Sequence, residues 1–259
     1  MRPLAGASLA GIDGLAFDVD DTLTTRGALS PDAYDALARL AAAGVRLVAL
    51  TGRPLGWADA MASMWPITAA VGENGAGWAW REGHALRIGY ADDPVTRAEQ
   101  RDVLAAIRRE VHERLPAIRE ACDQPARRCD LAFDVGERER PSAADVGALV
   151  AIIEAHGARA LVSSVHAHAV PGRWDKARGA ASAVRDALGE PLDPARWLFV
   201  GDSPNDEAAF AFFTHTVGVA NVREHLGALR VAPALVTDAE RGAGFVEVAE
   251  ALLRARADG

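Results

Sequence analysis

The sequence predicts an α/β protein: a doubly wound, Rossmann-like parallel sheet interrupted by a smaller α+β unit. Three observations carry this expectation. Short apolar runs of strand length, at 15–20, 45–50 and 197–200, alternate with helical patterns. The runs end in polar clusters, as strands of an open α/β sheet do where they meet a ligand. Between about 84 and 170 the strands weaken and the helices become more charged. With 259 residues, 50% hydrophobic and 25% charged, the chain can bury one large core or two modest ones. That balance excludes a disordered chain or a coiled coil.

The first run, at 15–20, follows Gly14 and ends in a polar turn, which suits a buried strand. Ser30-Pro31-Asp32 then starts a helix, with Ser30 as N-cap and Pro31 in the first turn. Tyr34, Leu37, Leu40 and Ala41 follow at helical spacing, and Gly44 closes it. The run at 45–50 completes a βαβ unit, so its two strands are expected to be parallel. In the middle of the chain, 95–115 is amphipathic with Val103, Leu104, Ile107 and Val111 inward. A strand at 131–135, a helix at 142–156 ended by Gly157, and one or two strands at 160–170 follow. Short hinges at Glu82-Gly83 and Pro171-Gly172 divide the chain into a core of 1–83 and 173–259 and an insert of 84–172. The α/β grammar then returns: a helix at 175–188 ended by Gly189, a strand at 197–200 reaching Gly201-Asp202, and a helix at 207–213. A strand at 216–220, a short helix at 224–229, a strand at 234–237 and a last helix at 244–256 complete it.

A net charge of -8 speaks against a nucleic-acid partner, which requires a basic face. No run approaches the roughly 18–20 apolar residues of a membrane span, so no membrane partner is expected. Asp13 and Asp18 interrupt any signal-like apolar stretch near the start, and a cytoplasmic protein is expected. Cys122 and Cys129 lack metal-site spacing and read as free thiols. Of the 28 basic residues 27 are Arg, the one lysine being Lys176, and asparagine occurs only at 74, 205 and 221. A residue type kept at a single position against such a bias invites a chemical explanation.

Four polar clusters stand where strands of the outer domain end. Asp18-Val19-Asp20-Asp21-Thr22 crowds three carboxylates, a cost that a cation or a shared proton relieves; an Asp-rich turn that binds water is the ordinary alternative. Thr51-Gly52-Arg53 offers a hydroxyl and backbone N–H groups to an anion, and serves equally as a helix N-cap. Lys176 lies near a helix N-terminus, as a surface lysine could. Gly201-Asp202-Ser203-Pro204-Asn205-Asp206 suits a hard divalent ion with oxygen ligands, or an Asx turn. Each segment is ambiguous alone; their order, spacing and placement together are not.

In that order the four clusters resemble the motifs of the haloacid dehalogenase superfamily of aspartate-dependent phosphohydrolases. Asp18-Val-Asp20-x-Thr22 matches the first motif, Thr51 the second, Lys176 the third, and Gly-Asp202-x-x-Asn205-Asp206 the fourth. The insert between the second and third motifs is similar to the type-two α+β cap, and Glu73-Asn74-Gly75-Ala76 to a segment common in that capped group, which includes Cof-like and sugar-phosphate phosphatases. The resemblance implies a phosphatase with Asp18 as nucleophile and Asp20 as general acid and base, oriented by Thr22. It implies Mg²⁺ held by Asp18, the backbone carbonyl of Asp20, and Asp202, with Asp206 in support. Thr51, Gly52, Lys176 and Asn205 would hold the phosphoryl group. Asp21 stands where many relatives have Gly; it adds a charge that raises metal affinity or hinders an anionic substrate.

The cap is expected to close over the site, exclude water and select the leaving group, with Asn74 and Arg53 as contacts on the core side. Trp57, Trp65, Trp78 and Trp80 read as core or hinge packing, with a sugar platform as the alternative. His166 and His168 share a strand face, either as a polar face or over the leaving group. The expected partner is a small phosphorylated metabolite, a sugar phosphate first, and the expected assembly a monomer or homodimer. A phosphomutase or phosphotransferase uses the same aspartyl phosphate, and a silent phosphate-binding module is a further alternative.

Overall fold

The structure, a computed structural model, describes residues 1–163 and 165–257. In chain order its elements begin with β1 (Arg2–Pro3), β2 (Gly14–Asp18), α1 (Pro31–Ala42), β3 (Arg46–Leu50), α2 (Leu55–Met64), β4 (Ala69–Gly72), β5 (Gly77–Glu82) and β6 (Ala85–Tyr90). Then come α3 (Pro94–Arg114), β7 (Leu131–Asp134), α4 (Ala143–Ala155), β8 (Arg159–Val162) and β9 (His166–Val170). The chain returns with α5 (Lys176–Leu188), β10 (Trp197–Gly201), α6 (Glu207–Phe212), β11 (His215–Gly218), β12 (Leu235–Val236) and α7 (Arg241–Ala257).

Nine strands form one sheet in the order β1-β12-β11-β10-β2-β3-β4-β5-β6. The pairs from β1 through β4 are parallel, and β5 and β6 add antiparallel at one edge. Helices cover both faces, so the inner strands are buried on both sides and read as unbroken apolar runs. Alternation along β2 sends Leu15 and Phe17 to the face that packs against α1, α2 and α7, through Leu37, Met61, Phe245 and Val248. Ala16 joins the opposite face, with Ala180 and Val184 of α5 and Phe210 of α6. The N-cap expected for α1 is present, the Ser30 side chain accepting from Ala33 N.

A second, antiparallel sheet, β7-β9-β8, carries α3 and α4 on one face. Leu131, Phe133, Ala167 and Ala169 pack there against Ile107, Val111, Leu149 and Ile153. This is the expected α+β insert, with one difference at its start. Gly83, at φ +61°, is a hairpin turn that returns the chain along β5 as β6. The strand at 85–90 therefore lies in the large sheet, not in the insert. The pattern hid this because an edge strand buries little and reads as weak, as the half-exposed residues of β6 do. Cys129, Val170 and Trp174 close around Ala76, with Tyr90 against them, where the insert meets the core. Trp78 is buried between the large sheet and α5 and donates from Nε1 to Asp186 at 3.0 Å, and Trp80 packs on the same cluster. Both are packing residues. None of the described helices is long and apolar enough to cross a membrane.

Candidate active site

Because β10, β2 and β3 are adjacent and parallel, Asp202, Asp18 and Thr51 emerge side by side at their carboxyl ends. This edge of an open α/β sheet is where ligands bind. The chain leaving β2 turns sharply, with Asp21 in the left-handed region at φ 56°, a conformation Asp tolerates better than most residues. The charge of Asp21 has partners of its own, although it still adds repulsion at Asp202. Its carboxylate accepts from Arg26 N at 2.7 Å and lies 3.3 Å from Arg241 Nε.

Lys176, the first residue of α5, is completely buried at its side chain. Its Nζ donates to Asp18 Oδ1 at 2.5 Å, Asp206 Oδ1 at 2.6 Å and Asn205 Oδ1 at 3.2 Å. Burial works against its charge, but Asp18 and Asp206 outweigh burial and raise its pKa above the ordinary value. The third and fourth clusters thus converge on the first, and Lys176 is no surface lysine. Two glycines permit the approach. A Cβ at Gly75, whose φ is +109°, would stand 2.1 Å from the Asp175 carbonyl, and one at Gly201 would stand 2.5 Å from Asp206 Oδ2.

Asp18, Asp202 and Asp206 each bring a carboxylate oxygen within 4.8 Å of the others, all three buried. Thr22 Oγ1 and Asn221 Nδ2 donate to the two oxygens of Asp202, at 3.2 and 2.8 Å. Asp206 is already engaged: Oδ2 accepts from Asp202 N and Ser203 N at 2.9 and 3.1 Å, and Oδ1 takes the lysine. Burial pushes the Asp18 carboxyl well above the usual range against the pull of Lys176, with Asp206, Asp202 and Asp20 adding repulsion. Burial and then Asp206 push Asp202 up to about 7. One ammonium does not balance this many acids. An all-oxygen set with surplus negative charge fits a hard divalent ion such as Mg²⁺.

The second cluster meets Asp20. Thr51 Oγ1 donates to Asp20 Oδ2 at 3.3 Å and accepts from Arg53 N at 3.0 Å. The Arg53 side chain grips Asp20, with Nη2 at 2.6 Å and Nε at 2.8 Å from Oδ1. Its guanidinium lies 4.4 Å from the centroid of the Trp57 ring. Asn74, at φ 55°, packs its amide against Gly52 and buries an Oδ1 without a protein partner. Asn205 turns its Oδ1 to Lys176 and to Ser203 Oγ rather than away from them.

On the insert, His166 and His168 lie on the face of the small sheet opposite α3 and α4, with ring centroids 5.8 Å apart. His166 Nε2 is 3.0 Å from Glu137 Oε2, and His168 Nδ1 is 2.9 Å from the buried Asp130. The insert reaches the loop at 51–53, Arg127 Nη1 donating to the Gly52 carbonyl at 3.1 Å, and Asp123 and Glu137 act electrostatically on Arg53.

Four residues were not assigned from sequence: Asn221, Arg241, Glu73 and Arg127. For Asn221 a signal existed. All three asparagines of the chain stand at this site, Asn221 bridging Asp202 to the Asp21 carbonyl at 3.0 Å.

Residues 15–86 match the family model described as haloacid dehalogenase-like hydrolase. No curated protein matches the sequence. Among solved structures, the chain is similar to a Thermoplasma acidophilum protein, at 20% identity and TM-score 0.72, over 93% of this chain and 98% of that one. It is similar to a haloacid dehalogenase-like hydrolase from Bacteroides thetaiotaomicron, at 18% identity and TM-score 0.63, over 92% and 98%. It is also similar to the sucrose-phosphatase of Synechocystis, solved with sucrose and phosphate, at 16% identity and TM-score 0.65, over 94% and 98%. The segment that matches the family model carries Asp18, Asp20 and Thr51, and the chain shares the fold of these structures over nearly all its length.

Proposed function

We propose that the protein is a Mg²⁺-dependent phosphatase of small phosphorylated metabolites, with sugar phosphates as its substrate class. The observation that carries this reading is the buried Lys176 ammonium clamped between Asp18 and Asp206, with Asp202 alongside. A carboxylate held this way is oriented for attack, and the positive charge beside it offsets a phosphate dianion. Asp18 attacks phosphorus, so a bond to its carboxylate oxygen forms as the bond to the leaving alcohol breaks. Asp20 gives its proton to the departing oxygen, then takes one from the water that cleaves the aspartyl phosphate. Inorganic phosphate leaves and Asp18 is restored. An arriving phosphate that engages Arg53 frees Asp20 from its ion pair for this work. Asp18, the backbone carbonyl of Asp20, and Asp202 would hold Mg²⁺, which offsets charge on the phosphoryl oxygens; Asp206 supports Lys176 and the loop at 202–203.

The acidic wall of the insert favours a neutral, hydroxyl-rich leaving group over an anionic one. Glu137 and the paired His166 supply an acceptor and a donor there, and the similarity to a sucrose-phosphatase supports the same choice. The test is phosphate release from a panel of phosphorylated sugars, nucleotides and carboxylic acids, with Mg²⁺ and with excess EDTA. Sugar phosphates are expected to lead and EDTA to remove turnover. No release from any phosphomonoester, or full activity in EDTA, would overturn the proposal, and a lead for nucleotides would overturn the substrate class.

A second expectation separates Asp20 from Asp18. Replacing Asp20 by Asn slows phosphoryl transfer from an alkyl phosphate by about 10²–10⁴-fold, but from an aryl phosphate far less, because a good leaving group needs no proton. Single-turnover measurements on both substrates decide it; equal losses would remove the acid role.

A further inference from the structure

Glu73 is the most unusual acid outside the central cluster. It is 1% exposed and accepts four backbone N–H bonds. Its Oε1 takes Leu55 N at 2.8 Å, from the start of α2, and Arg128 N at 2.9 Å, from the insert. Its Oε2 takes Cys129 N at 2.6 Å and Asp130 N at 2.9 Å, both from the insert. One core carboxylate therefore fastens three consecutive residues of the insert.

The neighbouring Arg127 is equally committed. Its side chain is 1% exposed, pairs with Asp123 at 3.0 Å and Asp130 at 3.1 Å, and donates from Nη1 to the Gly52 carbonyl at 3.1 Å. The other two carbonyls of the loop at 51–53 are held by the core. Thr51 O accepts from Asn74 N at 3.0 Å and Arg53 O from Glu73 N at 2.8 Å. The Gly52 carbonyl thus depends on the insert for its partner. That carbonyl belongs to the peptide whose N–H, Arg53 N, donates to Thr51 Oγ1, and Thr51 Oγ1 donates to Asp20. A continuous chain of hydrogen bonds runs from the insert to the acid, and bonds in such a chain reinforce one another.

We propose that Glu73 and Arg127 are positioning residues that couple docking of the cap to the orientation of Thr51 and Asp20. Glu73 fixes the cap segment at 128–130, this places Arg127 on the Gly52 carbonyl, and the Gly52–Arg53 peptide then aims the Thr51 hydroxyl at Asp20. The coupling rests on the phosphatase reading only for its kinetic consequence; its structural part stands alone.

The test uses Glu73→Gln and Arg127→Lys. A glutamine presents an NH₂ to two of the four N–H donors and leaves them unpaired in either orientation. A lysine keeps the charge of Arg127 but lacks the planar fork that serves Gly52 and two carboxylates together. Amide hydrogen exchange at 128–130 is expected to rise about tenfold or more in Glu73→Gln, while amides of β2 and β10 keep their protection. Each variant is expected to lower kcat by about tenfold with KM changed less than about threefold, and to cost less than about twofold once Asp20 is already Asn. Unchanged exchange at 128–130 would overturn the docking role. Equal losses with and without Asp20 would overturn the coupling, since a merely structural role acts in both backgrounds. If Glu73→Gln fails to fold, Arg127→Lys carries the kinetic test. If no phosphomonoester is turned over, the proposed reaction falls while the exchange data still judge the latch.

Discussion

Asp18→Asn is expected to abolish turnover, lowering kcat by about a thousandfold or more, without loss of the fold. The amide is neither a nucleophile nor a ligand of full charge for a hard ion, so both roles proposed for Asp18 go together. The stability result is the more discriminating one. Asp18 is buried among Asp20, Asp202 and Asp206, and burial together with these neighbours opposes its charge more than Lys176 favours it. A neutral side chain of the same shape removes that cost, and Lys176 keeps Asp206 as a partner at 2.6 Å. In metal-free buffer, Asp18→Asn therefore melts at or above the wild-type temperature. With saturating Mg²⁺ the order narrows or reverses, because the wild type gains more from a cation that binds only the folded state. Single-turnover phosphate release and thermal melts with and without Mg²⁺ check both halves. A variant that keeps a tenth of wild-type activity, or melts well below the wild type without metal, contradicts the reading of the cluster.

Lys176 carries the second large effect. Lys176→Arg is expected to lose at least about tenfold in kcat/KM, about 1.4 kcal/mol of transition-state stabilisation. The compact ammonium reaches Asp18, Asn205 and Asp206 from a side chain with no exposed surface. A guanidinium is bulkier, planar and spreads its charge across a fork, so it cannot meet these three oxygens without displacing one. Helix α5 survives, because Arg and Lys have similar helix propensities and Asp175 still caps it by accepting from Arg178 N. Lys176→Met is harsher. It strands the buried Asp18 and Asp206 carboxylates, at a cost of about 3–5 kcal/mol in the folded protein. Steady-state kinetics, circular dichroism and chemical denaturation separate the two variants. Wild-type kinetics in Lys176→Arg would remove the lysine from the mechanism.

The sequence by itself determined most of the elements and where the polar clusters stand on them. Apolar runs of strand length, a serine cap before Pro31 and a glycine after Leu188 are signals that lie within a few residues of one another, and the structure has β2, α1 and α5 where those signals stand. The four polar clusters were legible for the same reason. Each occupies one strand end or helix start, and parallel strands place such ends along one edge. The single lysine among 27 arginines invited a chemical explanation, and the structure buries its side chain between Asp18 and Asp206. What the tertiary structure alone decided are the pairings between segments far apart in the chain. Asn221 orients Asp202 and holds the Asp21 carbonyl, 200 residues away, so its role depends on which strands become neighbours. Arg241 lies 3.3 Å from Asp21, reaching it from the start of α7, 220 residues along the chain. Glu73 stood out in the sequence only as part of the segment Glu73-Asn74-Gly75-Ala76; its four N–H donors come from two other segments of the chain. The placement of β6 was hidden too, because a half-buried strand can pair with either sheet until a hairpin turn commits it. Local propensity and periodicity act over one turn or one pleat. The bonds that aim Asp20 and anchor the cap form only after the crossovers have set strand order, and their partners carry no mark of each other in the linear chain.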